Sequence, residues 1–305
     1  MHIYPDYYKN FRCIADKCRH NCCIGWEIDI DESTLDFYDS VTGDFKNRLK
    51  ENIERKDTPH FKLSENERCP FLNSYNLCDI ITTLGEDHLC DICKEHPRFH
   101  NELPDRIESG LGLCCEEAGR MILGKKEKTA LIGKLKTDDE IILLRDEIIS
   151  TLQNREKSLK NRVNDMLTLC DTEFFDRPLS VWCKMLLSLE LLDRSWSDIL
   201  NALIKNESVI DFEKFSGYMS DREYEYEQFL VYLIYRHFAN APDIYEAQKR
   251  ARFTAFSYYL LYSIGAMIFT LTGEFCFETQ VEIARLFSSE IEYSDENLHT
   301  LFDTI

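Results

Sequence analysis

The start of this chain lacks the basic stretch and apolar run of a secretory leader: Met1-His2-Ile3-Tyr4-Pro5 leads at once into Asp6. Export to an oxidising compartment is therefore not expected, and the cytoplasm is the expected location. Low-complexity tracts and internal repeats are missing, so disorder is expected only near the ends. Positive charge is scarce. Against 55 Asp and Glu stand 36 Lys and Arg, a formal charge of −19. Nucleic acid and anionic membrane surfaces both call for a cationic footprint, so neither is an expected partner. A clean transmembrane run is absent too. Residues 253–271 carry no charge, but Thr254, Ser257, Tyr258, Tyr262, Ser263 and Thr270 make them polar for a bilayer span, and they read as a buried core helix. No G-x-G-x-x-G follows a strand and no strand–helix alternation is visible, so a Rossmann-type fold is not supported.

Cysteine is what the chain has in quantity, and it is grouped. Ten of thirteen cysteines lie in the first 115 residues. Cys13, Cys18, Cys22 and Cys23 read C-x4-C-x3-C-C. Cys69 and Cys78 bracket a Pro-Phe-Leu turn, Cys90 and Cys93 lie within one helical turn, and Cys114 and Cys115 are adjacent. Soft thiolates brought together by short loops suit a metal or an iron–sulfur cluster. The competing disulfide framework needs an oxidising compartment and fits an odd cysteine total poorly. Cys170, Cys183 and Cys276 stand alone in helical patterns and read as small buried hydrophobes.

The pattern predicts a mainly α protein: a small cysteine-rich, cluster-stabilised module over residues 1–125, packed on an α-helical bundle over 126–305. In the module, Asp31 caps a helix running to Asp39, a second amphipathic stretch covers 45–53, and 77–84 stops at Gly85. A strand at 106–113 and a helix at 116–123, closed by Gly124, complete it. In the bundle, Thr137-x-x-Glu140 is a capping box, Pro178 takes a first helical position before Val181, Met185, Leu189 and Leu192, and Asp243-x-x-Glu246 opens the longest helix, ending at Thr272-Gly273. Glu223, Glu225 and Glu227 read as a solvated face.

The N-terminal motifs follow a definite order. Phe11-Arg12-Cys13 leads to Cys18-x3-Cys22-Cys23-Ile24-Gly25-Trp26, then Cys69-Pro70-Phe71-Leu72 and Leu77-Cys78-Asp79-Ile80. Leu84-Gly85-Glu86, Cys93-Lys94-Glu95-His96-Pro97-Arg98 and Leu113-Cys114-Cys115-Glu116-Glu117-Ala118-Gly119-Arg120 close the set. This succession resembles the flagellin lysine-N-methylase family over residues 11–120, and Ala284 to Glu292 with Asn297 is similar to that family's tail. The N-terminal half also resembles a broader zinc- or iron-chelating cysteine-cluster family.

The first resemblance implies methyl transfer from S-adenosylmethionine to lysines of flagellin, with a [4Fe–4S] cluster on the cysteines. Cysteine positions shared with the family are Cys13, Cys18, Cys22, Cys23, Cys69, Cys78, Cys93 and Cys115. One [4Fe–4S] core takes four, so either a further zinc or iron is bound or some thiols are structural. Cys22 and Cys23 share one core only if the backbone bends sharply between them. The chain departs from the family at His96 for Tyr, Lys94 for Arg and Glu116 for Pro. Cys90 and Cys114 stand where Ser is common and read as redundant thiols rather than ligands. No C-x3-C-x2-C triplet is present, so the usual radical signature is missing, and direct displacement by a deprotonated lysine is chemically sufficient.

Around the cysteines, His20, His88, His96 and His100 read either as ligands or as supporting side chains. Arg98 and Arg120 are candidates to clamp the carboxylate of S-adenosylmethionine, the alternative being internal ion pairs with Glu116, Glu117 or Asp91. Trp26 reads as hydrophobic cover. Tyr224, Tyr226, Tyr232, Tyr235, Tyr258, Tyr259 and Tyr262 read as an aromatic cage or as ordinary core. The functional alternative is a zinc- or iron-chelating binding or assembly protein of the same fold without methyl transfer.

Overall fold

The computed structural model describes residues 1–133, 137–174 and 177–305. Contacts within the chain gather it into two compact units, residues 12–99 and residues 1–11 with 100–305. The cysteine-rich unit is thus narrower than the expected 1–125. The reason is strand pairing. His2–Pro5 runs parallel to Arg106–Leu111, with His2 opposite Ile107, and antiparallel to Leu131–Ile132, which ties the first residues to the bundle side of the chain. The strand Arg98–Leu103 completes that four-stranded sheet on the far side of Arg106–Leu111.

The smaller unit holds four short helices: α1 (Glu32–Ser40), α2 (Asp44–Asn52), α3 (Asp79–Leu84) and α4 (Asp91–Glu95). Asp31 caps α1 by accepting the Thr34 N–H at 2.9 Å. Its other oxygen accepts the Asp91 N–H at 2.9 Å, so one carboxylate ties α1 to the start of α4. Ile53–Glu54 pairs with His60–Phe61 in a two-stranded ribbon. Ile28, Ile30, Tyr38, Leu49, Phe61, Phe71 and Ile80 form the core, with Cys69 and Cys90 inside it and Cys23, Cys78 and Cys93 packed on its border.

The larger unit is helical: α5 (Glu116–Leu123), α6 (Glu140–Leu152), α7 (Leu159–Leu169), α8 (Leu179–Leu186), α9 (Arg194–Asn206), α10 (Phe212–Met219), α11 (Glu223–His237), α12 (Ile244–Thr272), α13 (Phe277–Phe287) and α14 (Asp295–Thr304). A π-helical turn, Ser288–Glu292, follows α13. Burial rather than amphipathicity defines α11 and α12. Almost every residue of α11 is inside, and it touches α5, α6 and α12. Among the described residues α12 alone is long and apolar enough to cross a bilayer, and 67% of its apolar window is buried within the protein. That is the behaviour of a core helix.

Three local expectations change. The cap of α6 is Asp139, which accepts from Ile141 and Ile142, while Thr137 accepts from Asp139 one step earlier. Pro178 is the N-cap of α8 rather than its first residue, and α8 ends at Leu186, short of Leu189 and Leu192. Glu225 and Glu227 are buried rather than solvated. Glu227 receives Arg155 at 2.8 Å and Arg162 at 2.6 Å, and Glu225 receives Arg222 at 2.7 Å. Burial demands such partners, because an unpaired interior carboxylate is costly.

Candidate functional site

Each cysteine segment of the smaller unit is shaped by a turn. Asn21 accepts the Cys23 N–H through its side chain at 2.9 Å and the Ile24 N–H through its carbonyl at 3.2 Å, which bends the chain at Cys22-Cys23. Gly25 follows with φ +96°, a conformation open to glycine. The sharp bend required for two adjacent thiols to share a centre is therefore present, and their sulfurs hydrogen-bond. The loop then pairs with the Cys69 segment: the Cys69 N–H donates to the Cys23 carbonyl at 2.8 Å, and the Gly25 N–H to the Glu67 carbonyl at 3.0 Å. Leu72 bridges Cys78 across a turn organised by Asn73. Cys78 and Cys90 occupy the N-cap positions of α3 and α4. Cys93 lies one turn into α4, its sulfur 3.3 Å from that of Cys90.

Six thiols share this neighbourhood, and each feels others. Cys22 is lowered by the hydrogen bond from Cys23, which is itself raised by that bond, by burial and by the charges of Cys22, Cys69 and Cys78. Cys90 and Cys93 repeat the arrangement: Cys90 is lowered by its partner, and Cys93 is raised by the bond, by burial and by Cys90, Cys23 and Cys69. Burial pushes Cys69 up to about 11 and also raises Cys78, against the N–H groups of Ile80 and Ile81. In each pair one thiol is thus favoured to ionise over the other, and further ionisation is opposed by mutual repulsion. A bound cation would relieve that repulsion and release the protons. The donor set, all sulfur, with Cys69 and Cys90 buried and the other four half-buried, has the chemistry of a thiolate-bound metal or iron–sulfur group. Its geometry is not closed: among the described residues no group of three His, Cys, Asp or Glu side chains stands in metal-holding array.

The remaining candidates lie elsewhere. Cys13 is exposed and accepts the Ala15 N–H, and Cys18 donates to the His20 carbonyl at 3.1 Å. Cys115 caps α5 in the larger unit. Trp26 donates to the Cys22 carbonyl at 2.7 Å and borders the core beside the thiols. His88 stacks on Phe37 at 3.9 Å, and His100 bonds Ser109 at 2.6 Å. Burial holds His96 down at about 4, so it is neutral near pH 7. Arg98 donates to the Lys94 carbonyl at 3.2 Å. Arg120 faces three carboxylates of its own chain, Glu278 at 2.9 Å and Glu116 and Glu117 at 3.3 Å, so the carboxylate it clamps here is internal. Cys170 and Cys183 are buried and pushed up to about 12, but Cys276 is exposed and bonds Thr279 at 3.1 Å, contrary to the buried expectation.

The tyrosines divide. Tyr226, Tyr258 and Tyr262 pack on one another at 5.2–5.7 Å, and such mutual contact leaves no cage between them. Tyr232 belongs to a polar network that the sequence reading did not assemble. The buried Glu292 accepts from the Tyr232 hydroxyl at 2.9 Å and from His237 Nε2 at 2.7 Å, and pairs with Arg236 at 3.4 Å. Arg236 donates to the Tyr232 hydroxyl at 2.7 Å and lies 4.9 Å from the Tyr293 ring, whose hydroxyl meets Cys114. Burial would raise Glu292, but Arg236 and His237 hold it below its usual value, and burial keeps His237 neutral. The sequence signal was Glu292 in the tail segment, without its distant partners.

The profile described as the FliB lysine N-methylase C-terminal domain matches residues 173–305, a span that contains this network apart from Cys114. The flagellar biosynthetic protein FliU of Salmonella muenchen is 30% identical over 148 residues, 46% of this chain and 87% of FliU. A protein named lysine-N-methylase from Salmonella typhimurium (strain LT2) is 29% identical over 137 residues, 43% of this chain and 34% of its own length. The like-named protein of Salmonella choleraesuis (strain SC-B67) gives the same figures. This chain therefore matches about a third of the length of the two lysine-N-methylases. No solved structure matches it. With most of FliU matched, the profile over the helical end and the ordered cysteine motifs ahead of it, the chain belongs to the flagellin lysine-N-methylase family.

Proposed function

We propose that the protein is a cytoplasmic protein-lysine N-methyltransferase acting on flagellin, with S-adenosylmethionine as methyl donor and an iron–sulfur cluster on its cysteines. Family membership is the observation that carries this reading, and the six converging thiols support its metal component. Cys22, Cys23, Cys69, Cys78, Cys90 and Cys93 are the residues that would hold the cluster. When bound, such a group supplies an electron carrier or a Lewis-acidic iron. The protein's own part is to bend Cys22-Cys23 into one centre, to present Cys78 and Cys90 at helix starts, and to exclude water with Phe71, Ile80 and Trp26. Displacement at the sulfonium methyl needs a neutral lysine amine about 3–3.5 Å from the carbon, so the substrate lysines belong on exposed loops.

The test is incubation of anaerobically purified, iron-loaded protein with unmodified flagellin and S-adenosylmethionine, followed by mass analysis of flagellin lysines. Methylene-sized gains support the reading, and unaltered flagellin with full iron loading overturns it. A second reading, a metal-chelating or assembly protein of flagellar biosynthesis, is favoured by one observation. The relative covered over most of its length, FliU, carries a biosynthetic rather than an enzymatic name. A brown, iron-rich but catalytically silent protein would establish that reading.

A further inference from the structure

In the larger unit, three neighbouring strands bring His2, Ser109 and His100 together. His2 opens the strand His2–Pro5, Ser109 lies on Arg106–Leu111 in the middle, and His100 lies on Arg98–Leu103 at the far side. His2 Nε2 and His100 Nδ1 each stand 2.6 Å from the Ser109 hydroxyl oxygen. Two imidazole nitrogens thus converge on one point. A hydroxyl has a single hydrogen, so it donates to one ring and accepts from the N–H of the other. Both histidines are exposed, and Ser109 beneath them is fully buried. The support is firm. The buried Tyr235 hydroxyl reaches the carbonyls of Ile3 and Ser109 at 3.1 and 3.0 Å, which holds their two strands side by side. Tyr4 and Tyr8 pack on the His2 ring at 5.2 and 6.0 Å between ring centres.

We infer that this group binds a borderline divalent cation of the zinc, nickel or copper kind, held by His2 Nε2 and His100 Nδ1, with the Ser109 oxygen and solvent completing the shell. Imidazole nitrogen is the usual ligand for these ions, and each neutral ring can keep its hydrogen on the nitrogen that faces away. The distances allow it. Zinc with Zn–N bonds near 2.0–2.1 Å needs its two nitrogens about 3.3 Å apart in a tetrahedral shell. Here the two nitrogens lie within twice 2.6 Å of each other, so small ring rotations suffice. Among the described residues no third His, Cys, Asp or Glu completes the array, so the site is open to solvent and its affinity modest. The net charge of −19 enriches cations at the surface and favours loading. The bound ion would staple the strand His2–Pro5 to Arg98–Leu103 across the strand between them. Its nitrogen donors set it apart from the six thiols of the smaller unit, so the inference rests on neither the cluster nor methyl transfer.

The experiment is diethyl pyrocarbonate labelling of the full chain with and without zinc, read residue by residue by mass spectrometry, with zinc content measured by equilibrium dialysis. Zinc should slow acylation of both His2 and His100 severalfold and leave the exposed His299 of α14 labelled as before. Magnesium, which prefers oxygen ligands, should protect neither ring. The thiols also take zinc, so dialysis is read as a difference between proteins whose fold is checked by circular dichroism. His2→Gln and His100→Gln should each bind one zinc fewer than the unaltered chain, and His299→Gln should bind as many. Ser109→Ala should keep that zinc but weaken it roughly tenfold, since its supporting oxygen is lost. The labelling is done on the unaltered chain, so a variant that fails to fold leaves the question decidable. Protection of neither ring or of only one, equal protection by magnesium, or equal zinc content in the unaltered chain and both folded histidine variants would overturn the inference.

Discussion

His96 stands just beyond α4, and burial keeps it neutral down to about pH 4. An unfolded histidine takes its proton near pH 6.5. Between those values the unfolded chain binds more protons than the folded one, so stability falls as pH drops from about 6.5 to about 4. The loss should reach about 1–3 kcal/mol once residual solvent contact is discounted. Thermal melts across that window should show it, and His96→Tyr should flatten the slope. Equal slopes in both proteins would place the acid sensitivity elsewhere. The thiols allow a sharper test. Under the proposed cluster binding, Cys23→Ala or Cys93→Ala, each removing a member of a hydrogen-bonded thiol pair, should cost most of the iron that the protein binds, while Cys170→Ala and Cys183→Ala should leave iron content unchanged. Spacing made the thiol groups readable, because short loops bring their members together. It did not reveal that Arg120 is occupied by Glu278, which lies 158 residues further on. Nor did it show that Glu227 is buried beneath Arg155 and Arg162, since partners so far apart leave no local pattern.

Some helix ends were legible from their caps, although those of α6 and α8 were placed a few residues off. Asp31 before α1, Asp243 before α12, Gly85 after α3 and Gly273 after α12 all stand where the sequence puts them. Gly273 has φ +79°, and Asp243 accepts the Glu246 N–H at 2.9 Å. Asp243→Ala should therefore cost about 1 kcal/mol in a denaturant titration. The strand His2–Pro5 was not legible, because its partners at 106–111 and 131–132 are distant and four residues carry too little alternation. Within α12, Gly265 has a packing role. A Cβ there would lie 2.8 Å from the Tyr226 hydroxyl, 2.9 Å from Phe215 and 3.0 Å from Phe275. The surrounding rings are buried and have little room to yield. Gly265→Ala should destabilise by about 1–3 kcal/mol despite its gain in helix propensity. A neutral or stabilising result would mean that the aromatic cluster of α10, α11 and α12 repacks freely.

The two compact units differ in what holds them. Residues 12–99 have four helices of nine residues or fewer and a core interleaved with cysteines, whereas the larger unit has long helices around aromatic side chains. If the proposed cluster is bound, metal chelation should accordingly expose residues 12–99 to proteolysis before α11 and α12, and simultaneous loss of both would contradict separate supports. Net charge acts at longer range than either core. With −19 distributed over the chain, the proposed substrate, a lysine-bearing loop of flagellin, would be attracted before contact, and its ammonium favoured at the surface it approaches. The same field opposes deprotonation of that lysine, so the attraction should assist capture more than chemistry. Salt separates the two effects. Raising ionic strength from 0.01 to 1 M shortens the Debye length from about 30 to about 3 Å, which screens encounter but hardly reaches a desolvated reaction site. KM for flagellin should therefore rise with salt while kcat changes little. A kcat that collapses with a constant KM would show that charge acts in the transition state and that docking is apolar.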